Sequence, residues 1–127
     1  MSYSLKDCLE LNKNIGLNIS EIRISGGGGK SKLWKQILAD VFNTELVTLN
    51  STEGAPYGAA LLASVGTGQF SSVTEACEKC ISREEVTSPV KENVQIYNEY
   101  YEIYKYLYPS LKQSFYNISR IVEKNYV

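Results

Sequence analysis

Four consecutive glycines, Gly26 to Gly29, followed by Lys30 and Ser31, are the stretch of this 127-residue sequence best suited to hold a ligand. Glycine lacks Cβ, so it accepts positive φ and lets another group approach the backbone closely. Before the run, Ile22 and Ile24 alternate as in a partly buried strand. After it, Leu33, Trp34, Ile37, Leu38 and Val41 repeat at helical spacing, and Ser31 stands where an N-cap belongs. Backbone N–H groups at such a turn, with the positive end of a helix dipole, favour an anionic or polar ligand. The turn therefore reads as a nucleotide cradle.

Which cradle is a matter of spacing. The phosphate-wrapping motif G-x-x-x-x-G-K-[ST] shares Gly29-Lys30-Ser31, but its first glycine would fall on Ile24, which belongs to the strand. A dinucleotide G-x-G-x-x-G starting at Gly26 requires glycine at position 31 and meets Ser31. A turn with no ligand is the plain alternative. Four glycines in a row weaken a fold entropically, so a site explains them better.

Other chemistry-bearing residues form weaker constellations. Cys77 and Cys80 make a Cys-x-x-Cys, yet zinc needs four ligands, the sequence has no histidine, and Cys8 is the one further cysteine. A redox pair belongs at a helix start after a strand, whereas this one falls inside a predicted helix. Two small residues at i, i+3 on a helix is the reading kept. Asn18, Asn50 and Asn117 each begin an N-x-Ser/Thr triplet, read as chance without a secretory signal. Tyr97, Tyr100, Tyr101, Tyr104, Leu107 and Tyr108 follow i, i+3, i+4, i+7 spacing. With few basic neighbours, that stripe reads as packing against the domain or a partner rather than as a base-stacking surface.

Composition bounds the rest. The chain is 43% apolar and 21% charged, ordinary for one small globular domain spanning residues 1–127. A formal net charge of −1 argues against nucleic acid or an anionic membrane as partner. The most apolar run, residues 59–65, is too short to span a bilayer. Residues 1–6 hold no signal-peptide core, so the expected compartment is the cytoplasm.

The elements that must position the turn follow from periodicity. A first helix carries Leu5, Cys8, Leu9 and Ile15 and stops at Gly16. A strand over residues 21–25, a helix over 31–42 and a second strand over 46–49 make a βαβ unit with parallel strands. Asn50 to Pro56 is a second loop into a helix, with Pro56 suited to its first turn. Gly54, Gly58, Ala59 and Ala63 would let another backbone pack closely on that helix. Residues 72–80 form a short helix, residues 84–91 look irregular, and residues 92–124 form a long helical stretch interrupted near Pro109. Two strands cannot make a well-covered α/β sheet, so the chain reads as the last part of a larger fold.

The run Ile24-Ser25-Gly26-Gly27-Gly28-Gly29-Lys30-Ser31 to Val41 resembles the adenosine-binding motif of the FGGY carbohydrate kinases. The form Gly-Gly-Gly-x-Lys-Ser-x-x-Trp-x-Gln-x-x-Ala-Asp looks most like the xylulokinase branch. Glu53-Gly54-Ala55-Pro56-Tyr57-Gly58-Ala59-Ala60-Leu61-Leu62-Ala63 is similar to a second helix of that family, and Tyr104 to Lys112 to its C-terminal helix. The resemblance covers about residues 5–120 in register. It implies an α/β fold: an incomplete ribonuclease H-like, actin-like ATPase domain, with a short parallel βαβ core, flanking helices and a long C-terminal helical region. It implies ATP with Mg²⁺ as cofactors in the intact enzyme and D-xylulose as the acceptor, with Mg²⁺ not bound by this chain alone. Gly27 is the expected backbone contact to the nucleotide, Ser31 a polar contact, and Gly26 and Gly28 the clearance. Lys30 either approaches the phosphates or stays solvated; Glu53 and Gly54 either line the rim or cap their helix. The family's phosphate loop, catalytic aspartate and sugar-binding residues have no counterpart here, so no catalytic residue is assigned and the isolated chain is expected to be inactive. A stand-alone, non-catalytic nucleotide-binding module is the alternative. Self-association is expected too, through the open edge of the first strand or the tyrosine stripe.

Overall fold

The computed structural model describes residues 1–51 and 53–126; Thr52, in the loop after the second strand, lies outside them. In chain order the elements are α1 (Ser2–Asn14), β1 (Glu21–Ile24), a 3₁₀ turn (Gly27–Lys30), α2 (Lys32–Phe42), β2 (Glu45–Leu49), α3 (Gly54–Gly66), α4 (Val73–Cys80), β3 (Arg83–Thr87) and α5 (Lys91–Tyr126). The architecture is mixed α/β, as the hydrophobic periodicity predicts.

The helix between the first two strands is the centre of the core. α2 buries Leu38, Ala39, Val41 and Phe42 against Leu9 of α1 and Leu46 of β2. Tyr3, Ile22, Ile24, Trp34 and Tyr97 close around this cluster. The apolar positions of α2 fill one broad face, and that face is what the sheet and α1 cover. Asn43 ends α2 in the left-handed region at φ 49°, which asparagine tolerates better than most residues. The Thr44 N–H then returns to the Ala39 carbonyl at 3.3 Å. α1 stops where expected: Gly16 takes φ 90°, and the Leu17 N–H donates to the Asn12 carbonyl.

β1 pairs with β2 in parallel, Ile22 opposite Leu46 and Ile24 opposite Thr48, as a βαβ unit requires. A third strand departs from expectation. Residues 84–91 look irregular in sequence, yet Arg83–Thr87 pairs antiparallel with the other edge of β2, giving the order β1-β2-β3. Its register shifts between Thr48 and Leu49. β3 is largely exposed, so its Arg-Glu-Glu-Val-Thr lacks the apolar alternation that marks a half-buried strand. Tertiary contacts hold it instead: Lys35 Nζ reaches Glu85 Oε2 at 2.5 Å, and Arg83 pairs with Glu21 across β2.

The long C-terminal helix also departs from expectation. α5 runs unbroken through Pro109. Proline removes one backbone donor, but the helix on both sides supplies enough cooperative hydrogen bonding to carry the exposed turn. On α3 only Leu61 is buried, and a Cβ at Gly58 or Gly66 would meet nothing within 4 Å. Gly58 and Gly66 thus face open space, which leaves room on this helix for another backbone to approach. Gly54, unlike Gly58, is approached, its Cβ position lying 3.5 Å from Ser25 Oγ.

α5 is anchored at its N-terminus by a buried carboxylate. Asp40 on α2, 2% exposed, accepts hydrogen bonds from Val90 N at 2.7 Å, Gln36 Nε2 at 2.8 Å and Asn93 Nδ2 at 2.8 Å. One turn further along, α5 lies on α1. Tyr101 donates to Asp7 at 2.6 Å, and buried Lys6 donates to Asn98 at 2.7 Å with its ammonium 4.6 Å from the Tyr101 ring.

Candidate functional site

The glycines of the run are not equivalent. Gly26 follows β1 with φ 73° and ψ −162°, a backbone that only glycine adopts cheaply. It turns the chain away from the sheet into the 3₁₀ turn, whose Gly29 N–H donates to the Gly26 carbonyl at 3.1 Å. Gly28 and Gly29 face inward: a Cβ on Gly28 would lie 3.4 Å from Trp34 Cδ1, and one on Gly29 3.6 Å from the Ile24 carbonyl oxygen. Gly26 and Gly27 face outward, with nothing within 4 Å of a Cβ on either. Half of the turn is fitted to the protein, and the other half is open to a visitor.

Ser31 leaves the turn in extended conformation at φ −88° and ψ 112°, and its Oγ accepts the Trp34 N–H at 3.2 Å. It is the N-cap that the sequence places there. Its own carbonyl receives the Lys35 N–H at 3.0 Å, so the first turn of α2 is tied at both ends of the residue. The amide groups of the 3₁₀ turn and the positive end of α2 therefore sit beside one another.

Two clefts flank the turn at the carboxyl ends of the parallel strands. One, of about 550 Å³, lies among Gly26, Gly29, Lys30, Lys32, Lys35 and Glu85. The other, of about 180 Å³, lies among Ser25, Asn50, Ser51, Glu53, Gly54 and Gly58. The fold thus brings Ser25, just before the glycine turn, and Asn50, in the loop into α3, to one narrow cavity although they lie 25 residues apart in sequence. Asn50 fixes the far wall: its Nδ2 donates to the Cys80 carbonyl at 2.9 Å and its Oδ1 accepts the Ser82 N–H at 3.0 Å. Tyr57 Oη donates to the same carbonyl at 2.7 Å.

Charge in the larger cleft is partly spent within the protein. The Lys35 hydrogen bond, followed by its charge, holds the Glu85 carboxyl below the usual carboxylate range. Glu85 is accordingly ionised at neutral pH and neutralises Lys35. Lys30 is exposed and forms no ion pair among the described residues. Lys32, Lys35 and Glu85 were not singled out by motif. Lys32 and Lys35 lie within the helical pattern, and Glu85 enters only because β3 exists. Gly26, Gly29 and Lys30 line the larger cleft, whereas Gly28 lies on the opposite side, in a groove with Trp34. Cys8, Cys77 and Cys80 are free thiols, and among the described residues no three metal-ligating side chains converge.

This strand, glycine turn and capped helix belong to a sugar-kinase fold of the actin-like ATPase type. Xylulose kinase from Lactobacillus acidophilus superposes with a TM-score of 0.81 over 92% of this chain and 24% of its own, at 23% sequence identity, a likeness of fold alone. Sequence relatives go further. The profile of the FGGY family of carbohydrate kinases, C-terminal domain, matches residues 2–67. Xylulose kinase of Staphylococcus epidermidis is 37% identical over 113 residues, which is 89% of this chain and 23% of the relative. Xylulose kinase of Bacillus subtilis strain 168 is 35% identical over 112 residues, 88% of this chain and 22% of the relative. The chain belongs to the FGGY family of carbohydrate kinases. It spans less than a quarter of the length of these curated relatives.

Proposed function

We propose that residues 1–127 are one unit, the C-terminal nucleotide-binding portion of a xylulokinase-type sugar kinase. The parent reaction would move the γ-phosphoryl group of ATP to D-xylulose in the cytoplasm. The observation that carries this reading is the outward half of the glycine turn. Gly26 and Gly27 present bare backbone to open space beside the N-terminus of α2, where a side chain would obstruct an approaching ring or phosphate.

In this proposal Gly27 supplies backbone contact, Ser31 a polar contact at the helix start and Lys30 a charge for the phosphates. Gly26 makes the turn, and Gly28 gives room for Trp34, which backs the site. The narrow cavity lined by Ser25, Asn50, Gly54 and Gly58, about 180 Å³, has the volume to take a purine-sized base. Mg²⁺ enters with the phosphates, since it is held by few carboxylates and keeps much of its water. Phosphoryl transfer requires an aligned nucleophile and charge stabilisation around an in-line attack. Those parts belong to the remainder of a kinase, so the 127-residue chain binds nucleotide without turning over sugar.

Titration calorimetry with ATP tests the binding half of this reading. The chain should release heat on ATP addition, and Gly27→Leu should weaken binding at least tenfold with the melting temperature unchanged. Equal affinity in the two proteins would remove the glycine turn from the site. A coupled assay with ATP, Mg²⁺ and D-xylulose tests the other half, and turnover by this chain alone would overturn it.

A further inference from the structure

The tyrosine stripe of α5 is longer than its covered part. Val94, Tyr97, Tyr101 and Tyr104 alternate at spacings of three and four, and they lie toward α2 and α1. Val94 and Tyr101 are buried there, and the Tyr3 ring sits 5.8 Å from that of Tyr101 and 5.3 Å from that of Tyr104. The same alternation continues without a phase break through Tyr108, Leu111, Phe115, Ile118 and Val122. Sustained three-four spacing is the seam of a two-helix coiled coil. Pro109 falls outside the seam, which is why it leaves the stripe in phase. Beyond Tyr104 every described side chain on the helix is exposed.

We propose that the free part of this seam pairs with the same segment of a second copy of the chain, in antiparallel orientation. Area, space and register point to that occupant. The five exposed seam residues, with Leu107 and Ile121 beside them, are 46–64% exposed and offer on the order of 700 Å² per copy, close to the roughly 800 Å² a side of a standard stable interface. Residues 105–126 extend about 33 Å, long enough for three heptads. A parallel pair would bring two globular bodies to the same end, where α1 already occupies the seam up to Tyr104 and would wedge the helices apart. An antiparallel pair carries the bodies to opposite ends.

The stop at α1 also selects the register. Leu111 meets Val122 of the second copy, and Phe115 meets Ile118, with the two-fold axis between Phe115 and Ile118. Each helix end then halts beside Leu107 and clear of α1. Lys112 faces Ser119 of the second copy, so no like charges oppose across the seam. The arrangement closes on itself as a two-fold dimer and leaves the glycine turn uncovered. It is independent of the nucleotide reading above.

Sedimentation equilibrium of the 127-residue chain, with and without Phe115→Gln and Ile118→Gln together, tests the pairing. Glutamine is a good helix former, so the double variant should keep its helical circular dichroism. The unmodified chain should sediment as a dimer, and the double variant as a monomer. Orientation is read in a background with Cys8, Cys77 and Cys80 replaced by serine. Oxidised mixtures of Leu111→Cys and Val122→Cys chains should cross-link to each other, and Leu111→Cys chains alone should not. A monomer at 100-micromolar protein, on the order of the upper range for a weak complex, overturns the proposal. So does a dimer that survives the double substitution, an assembly larger than two, or cross-linking of Leu111→Cys to itself.

Discussion

At the scale of single residues, the glycine run shows why four identical letters need not share a role. Gly26 is required by backbone conformation, so Gly26→Ala should cost about 1–2 kcal/mol of stability in denaturant unfolding. Gly27 is not in that conformation and has space around it, so a side chain there should act on nucleotide affinity instead. Ser31→Ala should cost about 1 kcal/mol through loss of the cap to Trp34 N–H. Tyr101 carries a pH signature. Burial first, then its hydrogen bond to Asp7, raises the phenol well above its ordinary value. The folded protein therefore holds this proton where the unfolded chain, titrating near 10, releases it. Its contribution is complete below about pH 10 and declines as pH rises further. Tyr101→Phe should lower stability by about 1 kcal/mol at neutral pH and flatten the decline above pH 10, read from urea unfolding across that range. Lys6 acts with the opposite sign, since burial lowers its pKa and stability gains as pH climbs toward the unfolded value.

At the scale of elements, the junction of α2 and α5 rests on Asp40. Replacing it by alanine leaves Val90 N–H, Gln36 and Asn93 without their acceptor in a buried place. Asp40→Ala should cost about 3 kcal/mol in denaturant unfolding. Amide exchange near residues 90–94 should accelerate more than exchange in β2, because the first turn of α5 loses its tie while the sheet keeps its own. α4 has a local device of the same kind. Ser72 Oγ accepts the Glu75 N–H, while Glu75 accepts from the Ser71 N–H and hydroxyl, which with Lys79 brings its carboxyl down to about 2. Acid should therefore fray α4 only as pH falls from the ordinary glutamate range toward 2, visible as loss of amide protection over residues 73–80. β3 illustrates the limit of periodicity: an edge strand exposed on most of its surface has no reason to alternate, and Lys35 of α2 and Glu21 of β1 hold it by charge from other elements.

For the molecule as a whole, the chain has a core around α2 and a candidate site around one turn, but its apolar faces extend beyond what it can cover. The outer edge of β1, most of α3 and residues 105–125 of α5 lie open among the described residues. Limited proteolysis should cut within residues 105–126 long before the α2 core, and dimer formation should slow those cuts. Local and periodic information alone determined much of this protein: the strand–turn–helix, the Ser31 cap, the stops at Gly16 and Asn43, the parallel pairing of β1 and β2, and the family. Each depends on neighbours within a turn or two, or on a motif preserved as a string. Tertiary structure decided what depends on distant partners. It made β3 from a polar segment, sorted the four glycines into inward and outward pairs, and set Asp40 beneath α5. It also divided one tyrosine stripe between a buried half and a free one. Burial and charge pairing across some fifty residues of chain are many-body effects, and no short window of sequence contains them.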